Sequence, residues 1–432
     1  MRLNLRRYLR ERGRDKGYLE VEEELSLKYE VARYLKLYDG GPVLKFTKPK
    51  GRDMPIISNI IPDSSDVLRA LGAKDLKTAY LSLLKACENP VKLKLKSDAP
   101  FQEVKFRDLS ELPILTYYEK DGGPYITTGI IIAGDKRTGL FNASIHRMMV
   151  LSPTRLTIRV VPRHLYYIMR ESWKRGEDLP IAIAIGCHPL IYLASAASPP
   201  LGIFELEVAN SIAGDGIEGY EFEDGLIVPR ETEVVIKGRI LREVYEREGP
   251  FVDITGTYDR IRMQPVVEVD AIYGKEDALY YALLPAGKEH RTLMSFYREA
   301  LIWRRVSEIV PGVRAVKLTP GGCKWFHCLI SLDKMSEGDP KNAIIAAFAA
   351  HPSLKMVIVV DSDINLDDPT EVEWALATRF QPAEDLIVIK SIRGSSLDPS
   401  SDQERLLTSK MGIDATIPLG KPREAFEKAK IP

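Results

Sequence analysis

The spacing of apolar residues changes character twice along this chain, so no single repeating layer can account for all 432 residues. From Leu25 apolar residues recur at helical spacing, as in Val31, Ala32 and Leu35 and again over 76–86, with strand candidates at 43–46 and 56–61 between them. From about Ile114 to Tyr281 the pattern becomes runs rich in β-branched residues, at 125–133, 156–161, 181–185, 233–241 and 266–273. Helix candidates at 164–173 and 201–212 interrupt them. Beyond Lys288 a long helix candidate precedes strands at 315–318, 325–332, 356–360 and 386–389, alternating with helices. The expected architecture is α+β and multidomain, because a chain this long exceeds what one core supports. An N-terminal α/β part is expected over 1–113, a β-rich, barrel-like domain over 114–300 and a C-terminal α/β domain over 301–432.

Charge excludes some functions. Lys plus Arg and Asp plus Glu both total 61, so the formal net charge is zero. A nucleic-acid binder or polybasic membrane-surface protein needs a field of one sign, and neither is expected. The basic start from Arg2 to Arg14 lacks a following apolar core, and no apolar run approaches the ~20 residues that span a bilayer. The chain is expected to be cytoplasmic. Four scattered cysteines make no disulfide framework, and Cys323, His327 and Cys328 fit no common zinc spacing. P-loop, HExxH and GxSxG motifs are missing. Gly214-Asp-Gly216-Ile-Glu-Gly219 matches a dinucleotide fingerprint in letters only, since it follows a helix candidate, and is read as a loop.

The chemistry-bearing residues concentrate in the strand-rich middle. In Glu248-Gly-Pro-Phe-Val-Asp253-Ile-Thr-Gly256 two carboxylates stand either side of a Gly-Pro bend. In a flat strand residues five apart face opposite sides and would not meet. Gly249 and Pro250 can fold the chain back and bring both acids toward one cavity, where one of them is pushed toward its protonated form. A surface turn with solvated acids fits the local pattern equally well.

Phe141-Asn142-Ala-Ser-Ile145-His146-Arg147 offers a neutral oxygen ligand in Asn142 and a forked cation in Arg147, although a polar loop also explains it. Arg159 and His164 follow, with Pro162 placed to start a helix whose free N–H groups suit a phosphate. Glu205 follows Ala194-Ser195-Ala-Ala-Ser198 and has apolar neighbours, Phe204 and Leu206 among them. A buried acid wants a cation, and carboxylate plus Asn oxygen favours magnesium or manganese.

In these segments the chain resembles the UbiD decarboxylases over about 114–416. The markers are Asn142 to Arg147, the stretch 156–164, Gly186-Cys-His-Pro189, Glu205, Glu248 to Asp253 with Gly256, Asp361 to Asn365, and Ser409-Lys-Met-Gly-Ile-Asp-Ala-Thr416. The resemblance implies a central flavin-binding split β-barrel between an N-terminal and a C-terminal α/β domain, in dimers or hexamers. It implies prenylated FMN as cofactor, supplied by a flavin prenyltransferase, with Asn142 and Glu205 binding Mn2+ or Mg2+. Ile145, His146, Arg147, Arg159, Val160, Val161, His164, Leu165 and Lys410 would contact the cofactor, and K+ would sit by Ala194 and Ser195. Arg147, Glu248 and Asp253 would be the catalytic group. Arg147 would orient the substrate carboxylate, Glu248 hold Arg147, and Asp253 protonate the carbon.

The substrate expected from the resemblance is trans-anhydromevalonate 5-phosphate, giving isopentenyl phosphate, as in the compact archaeal members. The tetrad Lys288-Glu-His290-Arg291 could supply a cationic pocket for the phosphate, and a solvated helix start explains it as well. The alternatives are 4-hydroxy-3-polyprenylbenzoate or another aromatic or acrylic acid, or a non-catalytic flavin-binding protein.

Overall fold

The structure, a computed structural model, describes residues 3–429 and 431. The chain divides into two compact units, residues 1–293 and 294–432. The first is organised around a nine-stranded sheet. Its path runs Tyr125–Ile126, Met148–Ser152, Arg155–Ile158, Arg262–Gly274, Val234–Glu248, Leu179–Ile185, Ile130–Asp135 and Leu140–Ile145, and Val104–Phe106 pairs beside Arg262–Gly274. Every ladder in it is antiparallel. The inner strands read as continuous apolar runs because both faces are covered: Ile130 to Ala133 and Ile181 to Ile185 are fully buried. Helix His164–Lys174 packs across four of these strands.

The sheet is open rather than barrel-closed among the described residues: Tyr125–Ile126 and Leu140–Ile145 are its two ends and do not pair with each other. The first two expected parts fall in one compact unit, for a physical reason. Tyr280–Tyr281 returns to pair with Ile56–Ser58 in a four-stranded sheet with Tyr18–Val21 and Val43–Phe46. Lys94–Lys96 pairs with Glu218–Glu221. Glu289, fully enclosed, accepts the backbone N–H groups of Asn59, Ile60 and Ile61 at 3.1, 2.5 and 2.7 Å. Three buried N–H groups are thereby satisfied by one side chain.

The second unit carries a five-stranded sheet in the order Val313–Leu318, His327–Leu332, Met356–Asp361, Leu407–Ala415, Leu386–Arg393, its three central strands parallel. Helices Asp339–Ala350 and Pro369–Arg379 cover it, as the α/β alternation implies. Leu407–Ala415 is a central strand that apolar spacing did not announce, since Ser409 and Lys410 interrupt it. No helix among the described residues is long and apolar enough to cross a membrane.

Two local differences matter for the site. The stretch around Asn142 is not a free polar loop: Leu140–Ile145 and Met148–Ser152 are strands, and only His146 and Arg147 stand between them. The helix expected over 201–212 begins at Glu205, after helix Pro189–Ser195, because Pro199, Pro200 and Gly202 keep the intervening chain irregular.

Candidate active site

The Gly249–Pro250 segment interrupts a long hairpin. Glu248 pairs with Arg262 at the end of one ladder, and a second short ladder resumes with Phe251 opposite Asp259 and Val252 opposite Tyr258. Gly249 takes a φ of 100°, which a side chain would resist, and its peptide with Pro250 is cis. Both acids flanking this break reach the same guanidinium. Arg147 Nε and Nη2 each donate to Glu248 at 3.0 Å, a two-pronged pair, and Nη1 donates to Asp253 Oδ2 at 2.7 Å. Nη2 also donates to Asp259 Oδ2 at 2.8 Å, a third carboxylate that the motifs did not reveal.

The three acids differ in setting. The Glu248 side chain is fully buried and also accepts the Tyr125 hydroxyl at 3.1 Å. Asp259 is 7% exposed and Asp253 is 16% exposed, the least enclosed of the three. Asp253 Oδ1 accepts the N–H of Ile254 at 2.7 Å. Burial disfavours the Arg147 charge, and Glu248, Asp253 and Asp259 outweigh that and hold it cationic. Its guanidinium lies 4.7 Å from the centre of the Phe251 ring. Carboxylates thus occupy both edges of the Arg147 guanidinium.

A second cluster adjoins through the backbone, since Arg159 donates its N–H to the Arg147 carbonyl at 3.2 Å. Asn142 Nδ2 donates to Glu205 Oε1 at 2.8 Å, the Ala143 N–H to Glu205 Oε2 at 2.7 Å, and His164 Nδ1 stands 3.8 Å from Glu205 Oε1. Glu205 is 1% exposed, and desolvation raises its pKa above the usual range. None of its partners is a fixed cation. A buried carboxylate beside an amide and an imidazole is a donor set that fits a hard or borderline metal ion. Ser144 Oγ lies 2.8 Å from Asn142 Oδ1 and 2.9 Å from His146 Nε2, while His146 Nδ1 meets the Arg159 carbonyl at 2.8 Å. That carbonyl can only accept, so the imidazole proton sits on Nδ1, and the single Ser144 hydroxyl proton, donated to Asn142 Oδ1, is shared with the acceptor Nε2. Asn142 Oδ1 keeps its second lone pair for an ion.

Two arginines, Arg159 and Arg163, bring positive charge to this cluster. Arg159 is pushed below its usual pKa by burial and then by Arg262 and Arg147. His146 is lowered to about 4, by desolvation first and with Arg159 and Arg163 adding to it. Helix His164–Lys174 opens at the same place with no side-chain cap on its first N–H groups. Arginine cations and open N–H groups fit a phosphate.

The remaining expected residues divide. Ile145 ends its strand, Val160 and Leu165 are buried, and the Val160 N–H is held by Gln264 Oε1 at 3.0 Å. Val161 follows on the same irregular stretch. Ser195 ends helix Pro189–Ser195, and its hydroxyl is buried without a hydrogen-bond partner among the described residues. Lys410 belongs to the second unit, where its ammonium donates to the Pro352 carbonyl at 2.7 Å and desolvation lowers its pKa to about 8. Cys323, Cys328 and His327 form no metal cluster among the described residues, and none of the four cysteines is in a disulfide.

Domain models described as 3-octaprenyl-4-hydroxybenzoate carboxy-lyase match in order: the N-terminal domain over residues 9–81, the Rift-related domain over 92–288 and the C-terminal domain over 291–415. The chain belongs to the UbiD family of carboxy-lyases. Its relatives include the anhydromevalonate phosphate decarboxylase of Methanothermobacter thermautotrophicus, 44% identical over 95% of this chain and 96% of that one. A UbiD-class enzyme from Pelotomaculum thermopropionicum, solved in complex with FMN, superposes with a TM-score of 0.95 at 40% identity, covering 99% of this chain and 97% of that one. An evolved dimeric form of that enzyme, in complex with prenylated FMN, gives a TM-score of 0.91 at 39% identity over 100% and 97% of the two chains.

Proposed function

We propose that this chain decarboxylates trans-anhydromevalonate 5-phosphate to isopentenyl phosphate with prenylated FMN as cofactor. The observation that carries the reading is the convergence of Glu248 and Asp253 on Arg147 in a chain 44% identical to a protein with that named activity. When bound, the modified flavin supplies the electron sink that side chains lack. Its phosphate would lie against Arg159 and the start of helix His164–Lys174, where Arg159 and Arg163 bring positive charge and the first N–H groups have no side-chain cap. Mn2+ or Mg2+ would be held by Asn142 and Glu205, with His164 close by. K+ would take the orphaned Ser195 hydroxyl and the Ala194 region.

The residues divide the work. Arg147 holds the substrate carboxylate, with Glu248 fixing its orientation from a fully buried position. Asp253, the exposed member, delivers the proton that replaces carbon dioxide on carbon. Arg291 supports the phosphorylated substrate: its Nε donates to the Ile254 carbonyl at 3.2 Å, beside Asp253. The Lys288-to-Arg291 tetrad is thus split in function, because Glu289 is structural and His290 Nδ1 accepts the Ala286 N–H at 3.0 Å. Cofactor supply by a flavin prenyltransferase and assembly as a dimer or hexamer belong to the same reading.

The test is to co-express the chain with a flavin prenyltransferase and incubate the loaded protein separately with trans-anhydromevalonate 5-phosphate and 4-hydroxy-3-polyprenylbenzoate. Isopentenyl phosphate from the first acid supports the reading. Product from the second alone would reject the substrate, and flavin binding without carbon dioxide release from either would reject catalysis.

A further inference from the structure

We propose that Asp259 is a positioning residue that pins one edge of Arg147, so that only the edge covered by Asp253 can be exchanged for a substrate carboxylate, and that this exchange loads Asp253 with its proton. The inference deepens the function proposed above and rests on its assignment of Arg147 and Asp253.

Asp259 is placed by register. It sits opposite Phe251 in the short ladder that carries Asp253 at its turn, and the Phe251 ring backs the Arg147 guanidinium. Its Oδ2 accepts Arg147 Nη2 at 2.8 Å, and its Oδ1 accepts Arg262 Nη2 and the Arg260 N–H, each at 2.9 Å. Arg159 Nε stands 3.9 Å away. Asp259 cannot leave without stranding two enclosed guanidinium groups, and Glu248 cannot leave because it holds two nitrogens and is fully buried. Asp253 holds one nitrogen of Arg147 and is the most exposed of the three.

Charge counting gives the consequence. Arg147, Arg159 and Arg262 face Glu248, Asp253 and Asp259, and beyond them Arg291 and Asp121, which act on the same groups, offset one another, so the cluster is balanced. His290 lies within electrostatic reach of Asp253 and is kept neutral by desolvation, and Tyr125 faces Glu248 as a neutral donor. A substrate carboxylate makes a fourth anion in a largely enclosed site. Balance returns when the displaced Asp253 takes a proton from solvent, and that proton later replaces carbon dioxide on carbon. With Asp259 neutral the cluster has a cation to spare, and the carboxylate enters without any proton uptake.

The experiment uses FMN-loaded protein and 3-methylbut-2-enoate as a carboxylate probe, titrated calorimetrically in buffers of different ionisation enthalpy. Wild type takes up about one proton per probe bound, and Asp253→Asn takes up none. Asp259→Asn and Asp259→Ser also take up none, and bind the probe about three- to tenfold more tightly because one negative charge has gone. Asp259→Glu, which keeps the charge, retains uptake. In prenylated-FMN enzyme, Asp259→Asn lowers both KM and kcat, whereas a merely structural lesion raises KM. Wild type binding without proton uptake, or Asp259→Asn with wild-type uptake, would overturn the inference. Since uptake is read without turnover, inactivity toward the proposed substrate would refute that substrate and leave the role of Asp259 decided by the titration.

Discussion

Replacing Asp253 by Asn separates its part in folding from its part in chemistry. The structure gives Asp253 two contacts, the Arg147 Nη1 and the Ile254 N–H, both at 2.7 Å. Asn has one acceptor oxygen, so it keeps one contact and turns its amide toward the other donor. One hydrogen bond is lost and the other loses its charge assistance. At a side chain still 16% exposed, this costs about 1–2 kcal/mol of stability. Turnover falls much further. A positioned general acid is worth roughly 10²–10⁴-fold, or about 3–5 kcal/mol of barrier, and Asn cannot donate that proton. Single-turnover carbon dioxide release should drop at least a hundredfold in protein with wild-type flavin content and a melting temperature within a few degrees. A rate within threefold of wild type at equal flavin loading would refute the assignment. Loss of flavin or fold in this conservative variant would refute the separation of roles.

Three further outcomes follow from the geometry. Glu248→Gln keeps one prong to Arg147 but sets an amide N–H against Nη2 in a fully buried position, so it should cost about 2–3 kcal/mol in denaturant unfolding as well as activity, more than Asp253→Asn costs. Glu205→Gln should abolish Mn2+ binding followed by electron paramagnetic resonance and weaken FMN retention, while the apo fold, relieved of a buried carboxylate whose pKa is raised, melts no lower than wild type. His146 is lowered to about 4 from its ordinary 6.5, so the unfolded chain binds its proton first as pH falls. Its contribution is intact above 6.5 and lost on acidification toward 4. Between pH 7 and 5, His146→Gln should therefore lose about 2 kcal/mol less stability than wild type in urea titrations.

The sequence disclosed the site's acids better than its geometry. Residues 43–46, 181–185 and 164–173 carry spacing strong enough to mark their elements, and the structure places elements there. Strand order is different: nothing local says that Val234–Glu248 lies between Leu179–Ile185 and Arg262–Gly274. Asp259 was illegible for the same reason. Tyr-Asp-Arg reads as a solvated turn until the register places Asp259 opposite Phe251 and so beside Arg147. Glu289 was hidden inside a cationic tetrad, and its partners lie in backbone more than two hundred residues earlier. That Glu248 holds Arg147 was an expectation, but one sequence shows residue types and not how many further donors and acceptors, Asp259 among them, meet on one guanidinium.

The central claim is that the Arg147 cluster supports decarboxylation of a phosphorylated unsaturated acid. The most direct measurement is mass-spectrometric detection of isopentenyl phosphate, with equimolar carbon dioxide, after prenylated-FMN-loaded protein meets trans-anhydromevalonate 5-phosphate in deuterated water. Product carrying one solvent deuterium on carbon is predicted. Unchanged acid recovered from fully loaded protein would contradict the account.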